Sequence, residues 1–128
     1  MKTNTIWKTQ QSFDSYQGNA KIEMDAKNGF SPKALLLSGL AGCSAIDVVE
    51  ILEKMRVPFA SLSVDAEADQ TEELPKVFKT IHLTYFIKTE EENREKVKKA
   101  IDLSLEKYCG VAAMLIKNSP IEYTIHLD

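Results

Sequence analysis

The sequence SPKALLLSGLAGCSAIDVVEILEKMR, residues 31–56, decides the fold of this chain. Serine is favoured just before a helix and proline at its first position, so Ser31 and Pro32 predict a helix start. The helical pattern continues to Arg56. It then meets Val57-Pro58, where the residue before a proline disfavours helical backbone. Residues 34–49 are apolar almost all round, which predicts a long and largely buried helix.

This helix is rich in small residues that let another backbone approach closely: Ser38, Gly39, Ala41, Gly42, Ser44 and Ala45. Each glycine inside a helix costs about 1 kcal/mol relative to alanine. Close packing against a second helix is one reason to tolerate that cost, and the same helix of a partner subunit is a natural candidate. The sequence therefore predicts a homodimer.

Alternation of polar and apolar residues predicts strands on both sides of the helix. Residues 1–28 form short strands, with turns at Gln17-Gly18-Asn19 and Asn28-Gly29. Residues 61–68 and 77–87 are predicted to form an antiparallel pair of strands with one face exposed to solvent. The inward positions of the second strand of this pair are Val77, Ile81, Leu83, Tyr85 and Ile87.

A second helix is predicted from a capping box at Thr89-Glu90-Glu91-Glu92 to about Cys109. Its inner stripe, at a spacing of four residues, consists of Val97, Ile101, Leu105 and Cys109. Cys109 therefore ends a packing stripe.

Gly110 is a position where this helix can stop. A short turn or helix at 111–117 and a last strand at 121–127 follow. Strands, a long helix, two strands, a helix and a strand indicate an α+β fold in one domain, residues 1–128.

The composition excludes several classes of protein. A net charge of -3 argues against a nucleic-acid-binding surface. No uninterrupted apolar run reaches the roughly 18 residues of a membrane helix, and the first residues, MKTNTIWKTQQSFD, lack the apolar core of a signal peptide. The expected compartment is the cytoplasm, where structural disulfides are rare.

Cofactor and metal motifs are also missing from the sequence. The two histidines, His82 and His126, do not fit a zinc-ligand spacing, and there is no Cys-x-x-Cys pair. No P-loop or Gly-x-Gly-x-x-Gly motif occurs. We therefore expect neither a bound metal nor a cofactor.

The two cysteines are the candidate functional residues. Cys43 shares a helix face with Gly39, Ile46 and Asp47. Each thiol alone is best explained as a small buried hydrophobe. As a pair they suit redox chemistry, because a thiol oxidised to sulfenic acid needs a second thiol to form a disulfide. Asp47 opposes ionisation of Cys43 if it is charged, and it can shuttle a proton if it is neutral or acts through water.

The run from Ser31 to Cys43, with Lys107-Tyr108-Cys109-Gly110-Val111 sixty-six positions after Cys43, resembles the OsmC/Ohr family. These are osmotically inducible and organic-hydroperoxide-resistance proteins. The continuation Cys43–Val49 is similar to the YhfA-like branch. The resemblance implies an OsmC-like intertwined homodimer with long central helices, antiparallel strands, a second packing helix and sites at the subunit interface.

The resemblance also implies a thiol-dependent peroxidase that reduces organic hydroperoxides in oxidative-stress defence. Cys43 matches the peroxidatic cysteine of the family and Cys109 the resolving cysteine. A dithiol reductant, of the lipoyl type in one branch, would recycle the oxidised pair. No metal or flavin cofactor is implied.

Two positions depart from the peroxidase branches. Those branches carry a glutamate ten residues before the first cysteine, where this chain has Lys33, and an N-terminal arginine, whereas the first arginine here is Arg56. The thiolate is the nucleophile and needs a cation or hydrogen-bond donors when buried. The N-terminal cations on offer are Lys21, Lys27 and Lys33.

Three functions stay open on the sequence. The first is a thiol-dependent peroxidase. The second is a non-catalytic OsmC-like dimer that binds a small hydrophobic or thiol-reactive ligand at its interface. The third is a structural or regulatory module with inert thiols.

Overall fold

Two three-stranded sheets and three α-helices form the α+β architecture predicted from the sequence, in a computed structural model that describes residues 1–128. The chain divides into two compact units, Met1–Leu36 and Leu37–Asp128. That 1–128 make one domain stays a prediction.

The first unit contains an antiparallel sheet of strands β1 (Asn4–Thr9), β2 (Ser12–Gln17) and β3 (Ala20–Asp25). Gly18 adopts a φ of 59° in the two-residue loop between β2 and β3, a conformation that glycine accepts without strain. After β3, the Asp25 carboxylate accepts hydrogen bonds from the amides of residues 27 and 28, and these bonds lower the pKa of Asp25. Both predicted turns are therefore present.

Helix α1 spans Pro32–Lys54 and begins as predicted, with Ser31 Oγ accepting the Ala34 amide at 3.2 Å. Its end differs from the prediction. Arg56 has a φ of 57°, and its amide bonds to the Glu53 carbonyl while the Val57 amide reaches back to Leu52. This is the Schellman arrangement. A left-handed residue, rather than the following proline, therefore ends the helix.

One stripe of α1 is fully buried within the second unit: Leu40, Ser44, Val48 and Leu52. Apolar residues elsewhere on α1 are exposed in the single chain, including Leu36 at 52% and Ile46 at 62%. The prediction of a largely buried helix is therefore wrong for one chain alone. Contrary to the prediction, α1 is long and apolar enough to cross a membrane, by length and composition alone, as core helices of soluble proteins also can be.

The second sheet consists of β4 (Leu62–Gln70), β5 (Phe78–Ile87) and β6 (Ile121–Leu127). β4 and β5 are antiparallel as predicted, and β6 lies parallel to β5. A register shift between Asp69 and Gln70 changes the alternation at this end of β5. Phe78 is buried in consequence, while Val77 is 39% exposed, so the inward assignment of Val77 is wrong.

The predicted capping box does not form. The Thr89 hydroxyl donates to the Pro58 carbonyl at 2.6 Å and accepts the Asn93 side-chain amide at 3.0 Å, so a contact between distant segments replaces the local cap. A short 3-10 turn, Glu91–Asn93, leads into α2, Arg94–Leu103.

The second half of the predicted helix is also different. α2 ends at Leu103 and is followed by a π-helical turn, Ser104–Tyr108, and by α3, Gly110–Leu115. The prediction that the helix runs to Cys109 is therefore wrong, because Cys109 has extended backbone between two helical segments. Gly110 begins a helix instead of ending one.

Candidate functional site

The π turn determines which residue faces the core next to Ser104. Val97, Ala100, Ile101 and Ser104 are fully buried, at α-helical spacing. A regular helix would bring Tyr108 into line with Ser104, four residues later. The Cys109 amide instead donates to the Ser104 carbonyl at 2.7 Å, five residues back, so Cys109 takes the inward position. Cys109 is 2% exposed and Tyr108 is 54% exposed.

Cys109 is also the N-cap of α3. Its sulfur accepts the Ala112 amide at 3.4 Å. Burial, with a smaller effect of the neighbouring Cys43 thiol, raises the pKa of the Cys109 thiol to about 11. The amides of Ala112 and Val111 oppose it, because N–H donors favour the thiolate. The net result is a thiol that stays protonated at neutral pH.

The structure brings the two candidate cysteines together. Cys43 lies on α1, is partly buried, packs on the core cluster that contains Cys109, and interacts with the Cys109 thiol. Both thiols are free. The pair is asymmetric: the thiol of α1 is the more accessible and the thiol before α3 is enclosed.

A run of polar side chains crosses the core beside these thiols. Ser44 Oγ lies 2.6 Å from Tyr85 OH and 2.9 Å from Ser104 Oγ. Ser104 Oγ in turn lies 2.9 Å from Asp47 Oδ2. The pKa of the Tyr85 phenol is raised to about 12. Burial is the main cause, the hydrogen bond with Ser44 opposes it, and the charges of Cys109 and Asp47 add to the rise.

Sequence reasoning placed Asp47 near Cys43 but missed Ser44, Ser104 and Tyr85 as part of this neighbourhood. A signal was present for the two serines. Each lies at helical spacing from an apolar residue, four after Leu40 and seven after Val97, although Ser104 is not on the predicted stripe of Val97, Ile101, Leu105 and Cys109. Buried hydroxyls need hydrogen-bond partners, so each serine, if buried, calls for a polar group nearby.

No cationic side chain is among the groups that shift the pKa of Cys109 or of Tyr85. The titratable groups that influence them are Cys43, Asp47 and Cys109 itself. Among the N-terminal lysines, Lys21 lies 3.4 Å from Glu23 on the same strand. Lys33 is exposed in the first turn of α1.

The histidines take part in other contacts. His82 Nε2 lies 2.8 Å from Thr124 Oγ1, and the His126 ring stacks on Phe86 at 5.1 Å between centroids. No group of three or more His, Cys, Asp or Glu residues is placed to hold a metal ion.

The fold and the paired thiols define the class: an α+β protein in which a partly buried cysteine on a long helix meets a buried cysteine. The family model described as OsmC-like protein matches residues 24–124. Protein YhfA of Escherichia coli K12 is 40% identical over 100 residues, which cover 76% of this chain and 75% of YhfA. The chain belongs to the OsmC-like protein family, as its sequence motifs indicated.

Solved structures show the same fold. An OsmC-like protein from Mycoplasma pneumoniae matches with a TM-score of 0.86 at 20% identity, over 98% of this chain and 95% of that one. The organic hydroperoxide resistance protein OhrB of Bacillus subtilis matches with a TM-score of 0.68 at 14% identity, over 98% and 96%. At these identities the likeness concerns the fold alone.

Proposed function

We propose that this protein is a thiol-dependent peroxidase that reduces organic hydroperoxides in defence against oxidative stress. The observation that carries the proposal is the contact between a more accessible thiol, Cys43, and an enclosed one, Cys109. The accessible thiol suits attack on a peroxide, and the enclosed thiol suits resolution of the product. The shared fold with a hydroperoxide resistance protein supports this choice of substrate.

The chemistry has two steps. The Cys43 thiolate attacks the outer peroxide oxygen, the O–O bond breaks, and the alkoxide leaves and takes a proton to become an alcohol. The Cys109 thiol then attacks the sulfur of the Cys43 sulfenic acid, and water leaves as the disulfide forms. A dithiol reductant, of the lipoyl type by analogy with one branch of the family, exchanges with the disulfide and restores both thiols.

The active form in this proposal is a homodimer in the cytoplasm. Proteins of the OsmC/Ohr family are generally dimeric. The exposed apolar side chains of α1, such as Ile46, support a second subunit on this helix. A second subunit would also bring new groups to Cys43, which is only partly covered in one chain.

A second candidate is a non-catalytic dimer that binds a small hydrophobic or thiol-reactive ligand. The observation in its favour is the absence of a cation among the groups that act on Cys109 and Tyr85, together with Lys33 at the family's glutamate position. A thiol without a compensating cation is a weak nucleophile at neutral pH.

Peroxide consumption separates the two candidates. The reduced protein is mixed with tert-butyl hydroperoxide, and the peroxide and thiol concentrations are followed together. The peroxidase loses two thiols per subunit for each peroxide consumed. Cys43→Ser should abolish consumption, whereas Cys109→Ser should consume one peroxide and leave a sulfenic acid that dimedone traps.

Each cysteine variant is the control for the other, because only Cys109→Ser should still consume peroxide. Full peroxide consumption by Cys43→Ser contradicts the proposal. Reduced protein that leaves the peroxide untouched, while native mass spectrometry detects a co-purifying small molecule, favours the ligand-binding dimer.

A further inference from the structure

Ser104 is a fully buried polar residue that has no part in the two-step chemistry above. Its side-chain oxygen lies 2.9 Å from Asp47 Oδ2, 2.9 Å from Ser44 Oγ and 3.4 Å from the Ser44 carbonyl oxygen. Both partners belong to α1. An alanine at this position would avoid the cost of removing a hydroxyl from water. The Ser104 hydroxyl therefore calls for an explanation in what it holds together.

The Ser104 hydroxyl is the donor in these contacts with α1. Serine has one hydroxyl proton, so it serves one acceptor at a time, and a charged acceptor makes the stronger hydrogen bond. Asp47 follows Ser44 by three residues, so the two acceptors lie within one turn of α1. We call these three side chains, Ser44, Asp47 and Ser104, the serine link.

The backbone of Ser104 connects the serine link to Cys109. The Ser104 amide donates to the Ala100 and Ile101 carbonyls of α2. The Ser104 carbonyl accepts the Cys109 amide at 2.7 Å and so closes the π turn. Turns of this kind are rare and are frequently found at functional sites. Ser104 is therefore the residue at which the regular helix gives way to the turn that places Cys109 in the core.

The serine link ties the two cysteines to each other through short contacts. Cys43 is joined to Ser44 by a peptide bond, and Cys109 is joined to Ser104 by its amide. Between them lies the 2.9 Å contact of the two serine hydroxyls. A disulfide forms only when the two Cα atoms come within about 4.4–6.8 Å. A misplacement of about 1 Å can slow a reaction about a hundredfold.

We propose that Ser104 is a positioning residue for disulfide formation, because its hydroxyl holds the turn that carries Cys109 against α1 beside Cys43. The inference rests on the proposed function, since it takes these two cysteines as the reacting pair. In the step that it serves, the S–S bond forms and the S–O bond of the Cys43 sulfenic acid breaks. The departing hydroxide leaves as water with the proton of the Cys109 thiol. Ser104 itself neither gains nor loses a proton.

The test replaces the peroxide with 4,4′-dithiodipyridine, whose two thiopyridone products are followed by absorbance. The first product is released when Cys43 attacks the reagent. The second is released when Cys109 displaces the pyridyl thiolate from Cys43, so its rate measures formation of the disulfide alone. A native protein that releases no second product overturns the proposal.

Ser104→Ala should slow the second phase at least about tenfold and leave the first phase within about twofold of the native rate. The ratio of native to variant second rates should be the same at pH 7 and pH 9, because Ser104 is not among the groups that shift the pKa of Cys109. A second phase at the native rate overturns the proposal, and so does equal slowing of both phases. A ratio that changes with pH would assign Ser104 to proton transfer and also contradicts it.

Two variants of Asp47 test the same hydrogen bond and decide the question if Ser104→Ala does not fold. Asp47→Asn keeps a side-chain oxygen that accepts the Ser104 proton, so the second rate should stay within about twofold of native. Asp47→Leu is similar in size but has no acceptor, so the second rate should fall at least about fivefold. Equal losses in both variants would point to the charge of Asp47 rather than to the hydrogen bond, and would contradict the proposal.

Ser119 provides a matched control within the same unit. It is 2% exposed, and its hydroxyl donates to the Phe78 carbonyl at 2.7 Å rather than to α1. Ser119→Ala should keep the native second rate, and a loss equal to that of Ser104→Ala would show a general loss of packing and overturn the proposal. The two proposals fail separately, because the pyridyl reagent reports disulfide formation whether or not the protein consumes hydroperoxides.

Discussion

At the scale of the residue, Cys109 makes the stability of the protein depend on pH. Burial raises its pKa from 9.0 to about 11, so between these values the folded protein holds a proton that the unfolded chain releases. The stabilisation is complete below about pH 9 and is lost as pH rises toward 11. The loss should be on the order of 2 kcal/mol. The measurement is the free energy of unfolding in urea, determined at several pH values for the native protein and for Cys109→Ala. The slope of this free energy against pH, between about pH 9 and 11, should be steeper in the native protein.

The matched control for this prediction is Cys43→Ala. The Cys43 thiol is only a secondary cause of the raised Cys109 pKa, so most of the slope should remain in that variant. Tyr85 also loses its proton at alkaline pH in all three proteins, and most of its effect cancels because burial, rather than the charge of Cys109, is the main cause of its raised pKa. Equal slopes in the native protein and in Cys109→Ala would show that Cys109 is not the group responsible.

At the scale of the element, the end of α1 is strained by a side chain in left-handed backbone. Arg56 has a φ of 57° and an exposed side chain. Arg56→Gly should increase the free energy of unfolding by about 0.5–1 kcal/mol, because glycine occupies this region without a clash at Cβ. Arg56→Ala is the control, since it removes the arginine side chain and keeps Cβ. A glycine variant no more stable than the alanine variant would contradict this account of the cap.

Local patterns predicted the elements, and long-range contacts decided their ends. The start of α1 at Ser31 and the whole of β6 follow from capping and alternation within a few residues. Thr89 instead bonds to Pro58, thirty-one residues away, and the predicted capping box is lost. The π turn that places Cys109 accompanies contacts of Ser104 with α1, sixty residues back. The two cysteines could be recognised from their motifs. The hydrogen bonds that join Tyr85, Ser44, Ser104 and Asp47 could not be predicted, because they depend on how distant segments of the chain pack together.

At the scale of the whole molecule, the apolar surface of α1 predicts association of two chains. Ile46 lies on this helix and is 62% exposed in the single chain. Covering such a side chain stabilises an interface by about 1.5–3 kcal/mol. The native protein should therefore elute, in size-exclusion chromatography with light scattering, at twice the 14.4 kDa of one chain.

Ile46→Asp tests where the two chains meet. A carboxylate at this position costs nothing in water but must be desolvated in an interface, so the variant should shift toward the monomer at micromolar concentration while its circular dichroism is unchanged. Leu74→Asp is the control, since Leu74 is 86% exposed in the connection between β4 and β5. If Cys43 depends on groups from the second chain, Ile46→Asp should also slow its reaction with 4,4′-dithiodipyridine. A variant that remains as dimeric as the native protein would place the interface on another surface.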